Sequence, residues 1–300
     1  YMPDSGETQF QFIFPPLPDT VSRIDFMEGD DNNSWNIWGI ELKSHKLTAL
    51  KLPKNLNAAK ADKNMTLPDP IFKEGKARVK GQFLEYRKGM GKNLKIHLGS
   101  CINITTESID VDVAEDGTFS AEIPVITTTP VVIDVLEKAI RFYVAPEEET
   151  IVYINQREIV RATSKLRKAE KPEGSFAYFD GYMGGIANEL ADSYTKLKLF
   201  NDYNQLFKDA EGKSLEELRT GYLKGKEQKF NDIDAYKISP ASKAILKGDV
   251  TLLAIDNINM CPAILREAHI RANKLNREEA EKYYNSPLDI PDDFYDIGFK

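Results

Sequence analysis

The spacing of apolar residues changes once along this chain, and no other feature limits its fold as much. Between Ala77 and Ile154 apolar side chains recur at every second position, as in Ala77-Arg78-Val79-Lys80-Gly81-Gln82-Phe83. A period of two sends successive side chains to opposite faces of a strand. Beyond about Arg161 the period lengthens. Phe179, Met183, Ile186, Leu190, Tyr194 and Leu197 recur at three and four, which predicts a stripe down one side of a long helix. The chain therefore reads β first and α last, a β + α fold.

Within the β half, strands are predicted over 77–83, 94–98, 109–113, 118–123, 131–135, 140–144 and 150–154. Asp116-Gly117, inside "EDGTF", is a strong hairpin signal, because glycine tolerates positive φ. Short strands at regular spacing with turns between them predict a β-sandwich module over 75–160. Upstream, residues 1–43 read as three more strands, the closing part of a partial N-terminal β-sandwich. Phe10, Phe12 and Phe14 share one face of the first, which Pro15, Pro16 and Pro18 end for want of N–H donors. Ile24 and Phe26 face inward on the second, with Asp25 opposite. In the third, Trp35, Ile37 and Gly39 alternate with Asn36, Trp38 and Ile40, as if covered on both faces. Residues 44–74, rich in Lys, Asn and Pro and without a sustained period, read as a connector.

Residues 161–300 read as a helical domain. A helix is predicted to open at Ser214, where Glu217 completes a capping box. Another opens at Ser239, with Pro240 in the first helical position. Pro262 is expected to interrupt it, a further helix beginning at Ala263. Asn276 and Glu279 repeat the capping pattern for a short last helix ending near Tyr284, and the Pro- and Asp-rich tail after it reads as a loop or packed arm.

Three hundred residues suffice for about two domains. A net charge of −7 speaks against a phosphate-backbone binder and against adhesion to an anionic bilayer through a basic patch. No apolar run approaches the roughly 20 residues of a membrane span. The opening "YMPDSG" has neither basic start nor apolar stretch, so the chain is expected to be a processed or trimmed piece.

Candidate chemistry is thin. Glu28 to Asn33, "EGDDNN", offers oxygens to a hard cation, but the EF-hand spacing is absent and tight turns select the same residues. Asp110 and Asp112 share a strand face with no His or Lys beside them to split their pKa values, so a solvated face is favoured. His45, His97 and His269 stand one to a region, without the short spacing of metal ligands. "GYMGG", Gly181 to Gly185, precedes no lysine and falls in the helical stripe, which suits close packing or a kink better than a phosphate cradle. Phe176, Tyr178, Phe179 and Tyr182 read as core. Cys101 and Cys261 form no C-x-x-C pair and read as separately buried thiols, though sequence does not decide whether they bond to each other. No catalytic, cofactor-binding or metal-ligating residue is assigned, and no cofactor is expected.

The opening stretch resembles the N-terminal, non-thioredoxin region of TlpA-like thiol–disulfide interchange proteins of Bacteroides-type envelopes. The matching residues are Pro3, Ser5 and Gly6, then Phe14, Pro16, Leu17 and Pro18, then Asp25, Phe26, Glu28, Gly29 and Asp30, then Gly39, Ile40 and Leu42. "ARVKGQFLEY", "DGTF", "RFYVAPEEE" and "YIN" follow in the family's order, and "FDGYMGGIANEL" is similar to the Gly-Tyr and Asn-x-Glu-Leu signature opening its helical segment. The family's earlier strands are missing ahead of Tyr1, and so are the thioredoxin domain and its C-x-x-C pair, so no redox role passes to Cys101 or Cys261. The resemblance implies an exported periplasmic or outer-membrane-associated protein, with a lipid anchor on residues outside this chain. It also implies a non-catalytic scaffold or recognition region that partners a thioredoxin-like domain in cis, or another envelope protein or peptide. The rivals are an envelope binding protein for peptide or glycan, and a hydrolase-type site between the two halves.

Overall fold

The computed structural model describes residues 11–29, 36–43, 50–53, 61, 63–69, 72–87, 90, 93–99, 107–135, 138–163, 174–199, 203–288, 290–292 and 294–295. It has a mixed β and α architecture, strands prevailing in the N-terminal half and helices in the C-terminal half, with one short helix, Gln156–Thr163, ahead of the last strand. β1 (Arg23–Met27) and β2 (Asn36–Glu41) form a two-stranded antiparallel ribbon. β3 (Gly75–Phe83), β6 (Thr118–Val125), β9 (Glu149–Ile154) and β10 (Ala177–Gly181) make one sheet, in the order β10-β9-β3-β6. β4 (Asn93–Leu98), β5 (Glu107–Asp112), β7 (Thr129–Val135) and β8 (Lys138–Val144) make a second, in the order β5-β4-β7-β8.

Alternation sets how the sheets meet. Ala77, Val79 and Phe83 of β3 point inward with Ile123 of β6 and Val152 and Ile154 of β9, while charged neighbours such as Arg78 and Lys80 point out. They face Ile96, Val131, Ile133 and Phe142 of the second sheet in one continuous core. β3 pairs with β6 antiparallel but with β9 parallel, Gly81 opposite Val152. Parallel neighbours need a long crossover, and the whole second sheet supplies it.

Each strand expected between 77 and 154 is present, but the Asp116-Gly117 turn does not make a hairpin. β5 lies in the second sheet and β6 in the first, so the turn carries the chain across the sandwich. Locally it is tight: Ala114 N–H donates to Thr118 O at 2.8 Å, and Asp116 Oδ1 accepts from both the backbone N–H and the hydroxyl of Thr118. Gly117 sits at φ +83°, and a Cβ there would lie 2.4 Å from Cβ of Tyr86. Turn chemistry fixes the reversal, whereas the pairing of the flanking strands depends on neighbours remote in sequence.

The N-terminal region also departs from expectation. Residues 11–14 form no strand, and Phe12, Ile13 and Phe14 are exposed; Gln9 and Phe10 lie outside the described residues. Phe12 rests instead on the rings of Phe14 and Phe26. β1 shows the expected alternation, but β2 is not covered on both faces, since Ile37 is exposed. An extended segment becomes a strand only beside a partner for its backbone, and a two-stranded ribbon provides no third. Asp25 anchors this ribbon to the sandwich: it accepts from Gly39 N–H at 2.8 Å and from Arg87 Nη1 at 2.8 and 2.6 Å.

The helices are α1 (Gln156–Thr163), α2 (Gly184–Leu197), α3 (Tyr203–Ala210), α4 (Leu215–Ala235), α5 (Pro240–Asn273) and α6 (Arg277–Tyr284). The capping boxes at Ser214 and Glu217 and at Asn276 and Glu279 are both formed, and Ser239 caps α5 ahead of Pro240. Pro262 does not end its helix. α5 runs unbroken for 34 residues, about 50 Å at 1.5 Å per residue. Proline removes one backbone bond, while Ile258, Cys261 and Ile264 bury both flanks of the break against Phe207, Leu218 and Phe294. Phe294 also shows that the C-terminal arm packs onto the helices.

Gly117→Ala is expected to lower stability by about 2–4 kcal/mol, combining left-handed strain with overlap on Tyr86. Gly212→Ala, at φ +72° with open space around the added carbon, is expected to cost only about 1 kcal/mol. Urea denaturation of the two variants beside the parent measures the difference.

Candidate functional site at the seam between sandwich and helices

The periodicity places residue 179 in the helix, but Phe179 belongs to edge strand β10, with its ring against Phe142 at 5.5 Å. "GYMGG" is thus a strand-to-helix turn rather than part of a continuous helical stripe. Gly181 ends β10 at φ +76°, where a Cβ would lie 2.4 Å from the carbonyl oxygen of Glu149. That same oxygen accepts from Tyr182 N–H at 2.8 Å. Met183 adopts the left-handed conformation, and α2 begins at Gly184.

An edge strand leaves alternate backbone groups without a neighbour. Asn188, on the next turn of α2, supplies one. Phe179 N–H donates to Asn188 Oδ1 and Asn188 Nδ2 donates to Phe179 O, both at 2.8 Å. The adjacent residue turns to the opposite neighbour. Glu189 Oε2 accepts from Ser239 N–H at 3.1 Å, Ser239 Oγ at 2.7 Å and Ser242 Oγ at 2.6 Å. The carboxylate therefore sits on the N-terminus of α5, where its orphan donors and the helix dipole favour negative charge. Tyr236, at the end of α4, adds a tie to α2, donating to Asp192 Oδ2 at 2.9 Å.

One turn further on, the seam encloses titratable groups. Tyr194 of α2 donates to the carboxylate of Asp249 on α5. Tyr143 of β8 and Arg141 beside it lie within electrostatic reach. Burial pushes the Tyr143 hydroxyl up to about 12, with the Asp249 charge adding to it. Burial and the same carboxylate push Tyr194 well above the ordinary phenol range. Burial also raises Asp249, and the opposing pulls of Tyr194 and Arg141 do not cancel it. Strongly perturbed groups gathered at a seam mark a functional-site candidate, although joints between modules perturb pKa values in the same way. These phenols hold their protons at neutral pH, and Tyr194 directs its own to the Asp249 carboxylate.

The residues singled out in sequence do not converge there. His45 and Cys101 lie outside the described residues, as do positions 30–33 of the acidic loop. His97 Nε2 stands 3.2 Å from Asp134 Oδ2 across neighbouring strands. His269 stacks on Tyr283 at 4.2 Å and lines an open groove of 720 Å³ with Glu211 and Glu216, remote from the seam. Asp110 and Asp112 are exposed, but a lysine does stand beside the pair, contrary to expectation: Lys95 of the neighbouring strand lies 3.5 Å from Asp110. Among the described residues, no group of three His, Cys, Asp or Glu could hold a metal ion, and no helix is long and apolar enough to cross a membrane. Cys261 is a free, fully buried thiol whose pKa burial pushes up to about 12. Comparison with protein-family models, curated proteins and solved structures finds no match.

Several seam residues carried a signal in sequence: Phe179 and Tyr194 in the helical stripe, Ser239 as a helix cap, and the adjacent Asn188 and Glu189 within "FDGYMGGIANEL". Asp249 looks like any exposed helix carboxylate until α2 and β8 close over it.

Glu189→Ala strands three donors at the α5 N-terminus and is expected to cost about 3 kcal/mol in denaturant unfolding, with Glu189→Gln recovering part of it. Asp249 has its folded pKa raised, so its contribution to stability is full below the unfolded pKa and is lost as pH rises through the folded one. Asp249→Asn should therefore melt with the parent near pH 3 and several degrees above it near pH 7, as differential scanning calorimetry at the two pH values will show.

Proposed function

We propose that this chain is a non-catalytic scaffold and recognition region of an envelope thiol–disulfide interchange protein of the TlpA type, holding or presenting a thioredoxin-like domain. The observation that carries the reading is the engagement of Asn188 and Glu189. The motif most like the family's helical signature ties β10 to α2 and α2 to α5, leaving these side chains to join modules rather than perform chemistry. Two further features support it. The β1–β2 ribbon, which carries much of the resemblance, displays Met27 and Ile37 on its surface, with Phe12 and Phe14 exposed beside it. The Cys261 thiol is buried and poorly ionised, and thiol exchange requires an accessible thiolate. The expected location is the periplasm or the outer-membrane-associated envelope, and the expected partner a thioredoxin-like domain.

A second reading, a peptide-binding envelope protein, draws on the sandwich margin. β5 and β6 end their sheets on the same side, next to each other, where an extended peptide could add as a strand.

Two measurements on the whole chain test the first reading. Insulin reduction with dithiothreitol should run no faster with the chain than without it. A thioredoxin-like domain titrated into the labelled chain should give saturable amide shifts. Turnover that disappears in Cys101→Ala or Cys261→Ala defeats the non-catalytic assignment, and no response to the domain at millimolar concentration defeats the scaffold role.

A further inference from the structure

We propose that the groove between α4 and α5 binds a small organic carboxylate, independently of the envelope role. The groove measures 210 Å³, room for about seven waters at ~30 Å³ each, which suits an acid of a few carbons. Gly221 and Gly225, one turn apart on α4, line one wall, and a Cβ added at either would meet no atom within 4 Å. Leu218, Val250 and Leu253 provide apolar surface.

Two polar groups on this surface have no partner. Asn257 is 7% exposed and lines the groove, and among the described residues nothing bonds its side-chain amide. The Tyr222 hydroxyl is buried without a hydrogen-bond partner. Unpaired buried polar atoms are rare, because each has given up water for nothing. Here the Tyr222 phenol is left so, beside the unbonded Asn257 amide that lines the groove. Burial holds the Tyr222 proton, its pKa pushed up to about 12, so the phenol remains a donor at neutral pH.

The charge at the rim selects the ligand. Lys213, Lys226 and Lys229 line the groove against the single carboxylate of Asp209. Asp209 already accepts from Gln205 at 2.7 Å, and Lys226 stands 3.4 Å from Glu227 over the Phe230 ring. Lys229 Nζ already donates to Leu199 O at 2.5 Å, and burial lowers its pKa, a cost that a bound anion would offset. A carboxylate can accept from the Asn257 amide, the Tyr222 hydroxyl and an ammonium together, while a short alkyl chain lies on Leu218 and Val250. A phosphate has no apolar part to match that surface.

Titration of the isotope-labelled whole chain with sodium butyrate tests this, with sodium chloride and inorganic phosphate at matched ionic strength as controls. Butyrate is expected to give saturable shifts centred on Tyr222, Gly225 and Asn257. Gly225→Leu fills the notch with a better helix former, and Asn257→Leu removes the unpaired amide. Both are expected to raise the melting temperature and to weaken butyrate by about tenfold or more, the equivalent of one hydrogen bond at about 1.4 kcal/mol. A butyrate response no larger than that of chloride, phosphate binding tighter than butyrate, or parent-like affinity in both variants would each overturn the proposal.

Discussion

Two neighbouring side chains on one helix hold this protein together. Asn188 and Glu189 project about 100° apart around α2, so one reaches the sheet and the other the helices. Each meets a backbone need that its own element cannot satisfy. β10 ends its sheet with unpaired groups at Phe179, and the Asn188 amide mimics the next strand by offering one donor and one acceptor. α5 begins with donors that have no intrahelical acceptor, and the Glu189 carboxylate collects them with the two serine hydroxyls. Apolar packing alone would let α2 slide along the sandwich. Directional bonds to two backbones set its position.

The seam between α2 and α5 also carries strongly perturbed groups. For Asp249, burial outweighs both the hydrogen bond from Tyr194 and the attraction of Arg141, since its pKa moves up rather than down. A carboxylate kept on those terms opposes stability at neutral pH instead of adding to it. What it provides is direction. Tyr194 donates to one oxygen of one aspartate, which fixes where α2 lies against α5.

Much of the fold could be read along the chain. Alternation located every strand from β3 to β9, and the Ser214–Glu217 and Asn276–Glu279 pairs located helix starts to the residue. Those features are local: a strand's two faces, or a side chain reaching three residues back. The departures share an opposite cause. Asp116-Gly117 made the expected turn, but whether β5 and β6 pair depends on β3 and β4. Phe179 satisfied a helical stripe and a strand face equally, and β9 claimed it. Pro262 forfeits one hydrogen bond inside α5, and burial on both sides outweighs that loss. Residues 11–14 alternate like a strand, yet no strand lies beside them among the described residues.

The sequence by itself determined the order of β before α, the faces each strand turns inward, and the caps that start α4, α5 and α6. Side-chain periodicity and capping act over a few residues, and the code for them is written in consecutive letters. Tertiary structure alone decided which strands share a sheet, that Asn188 and Glu189 join the two halves, and that Asp249 meets Tyr194 at the seam. Each of those outcomes requires groups scores of residues apart to meet, and no short stretch of sequence records such a meeting.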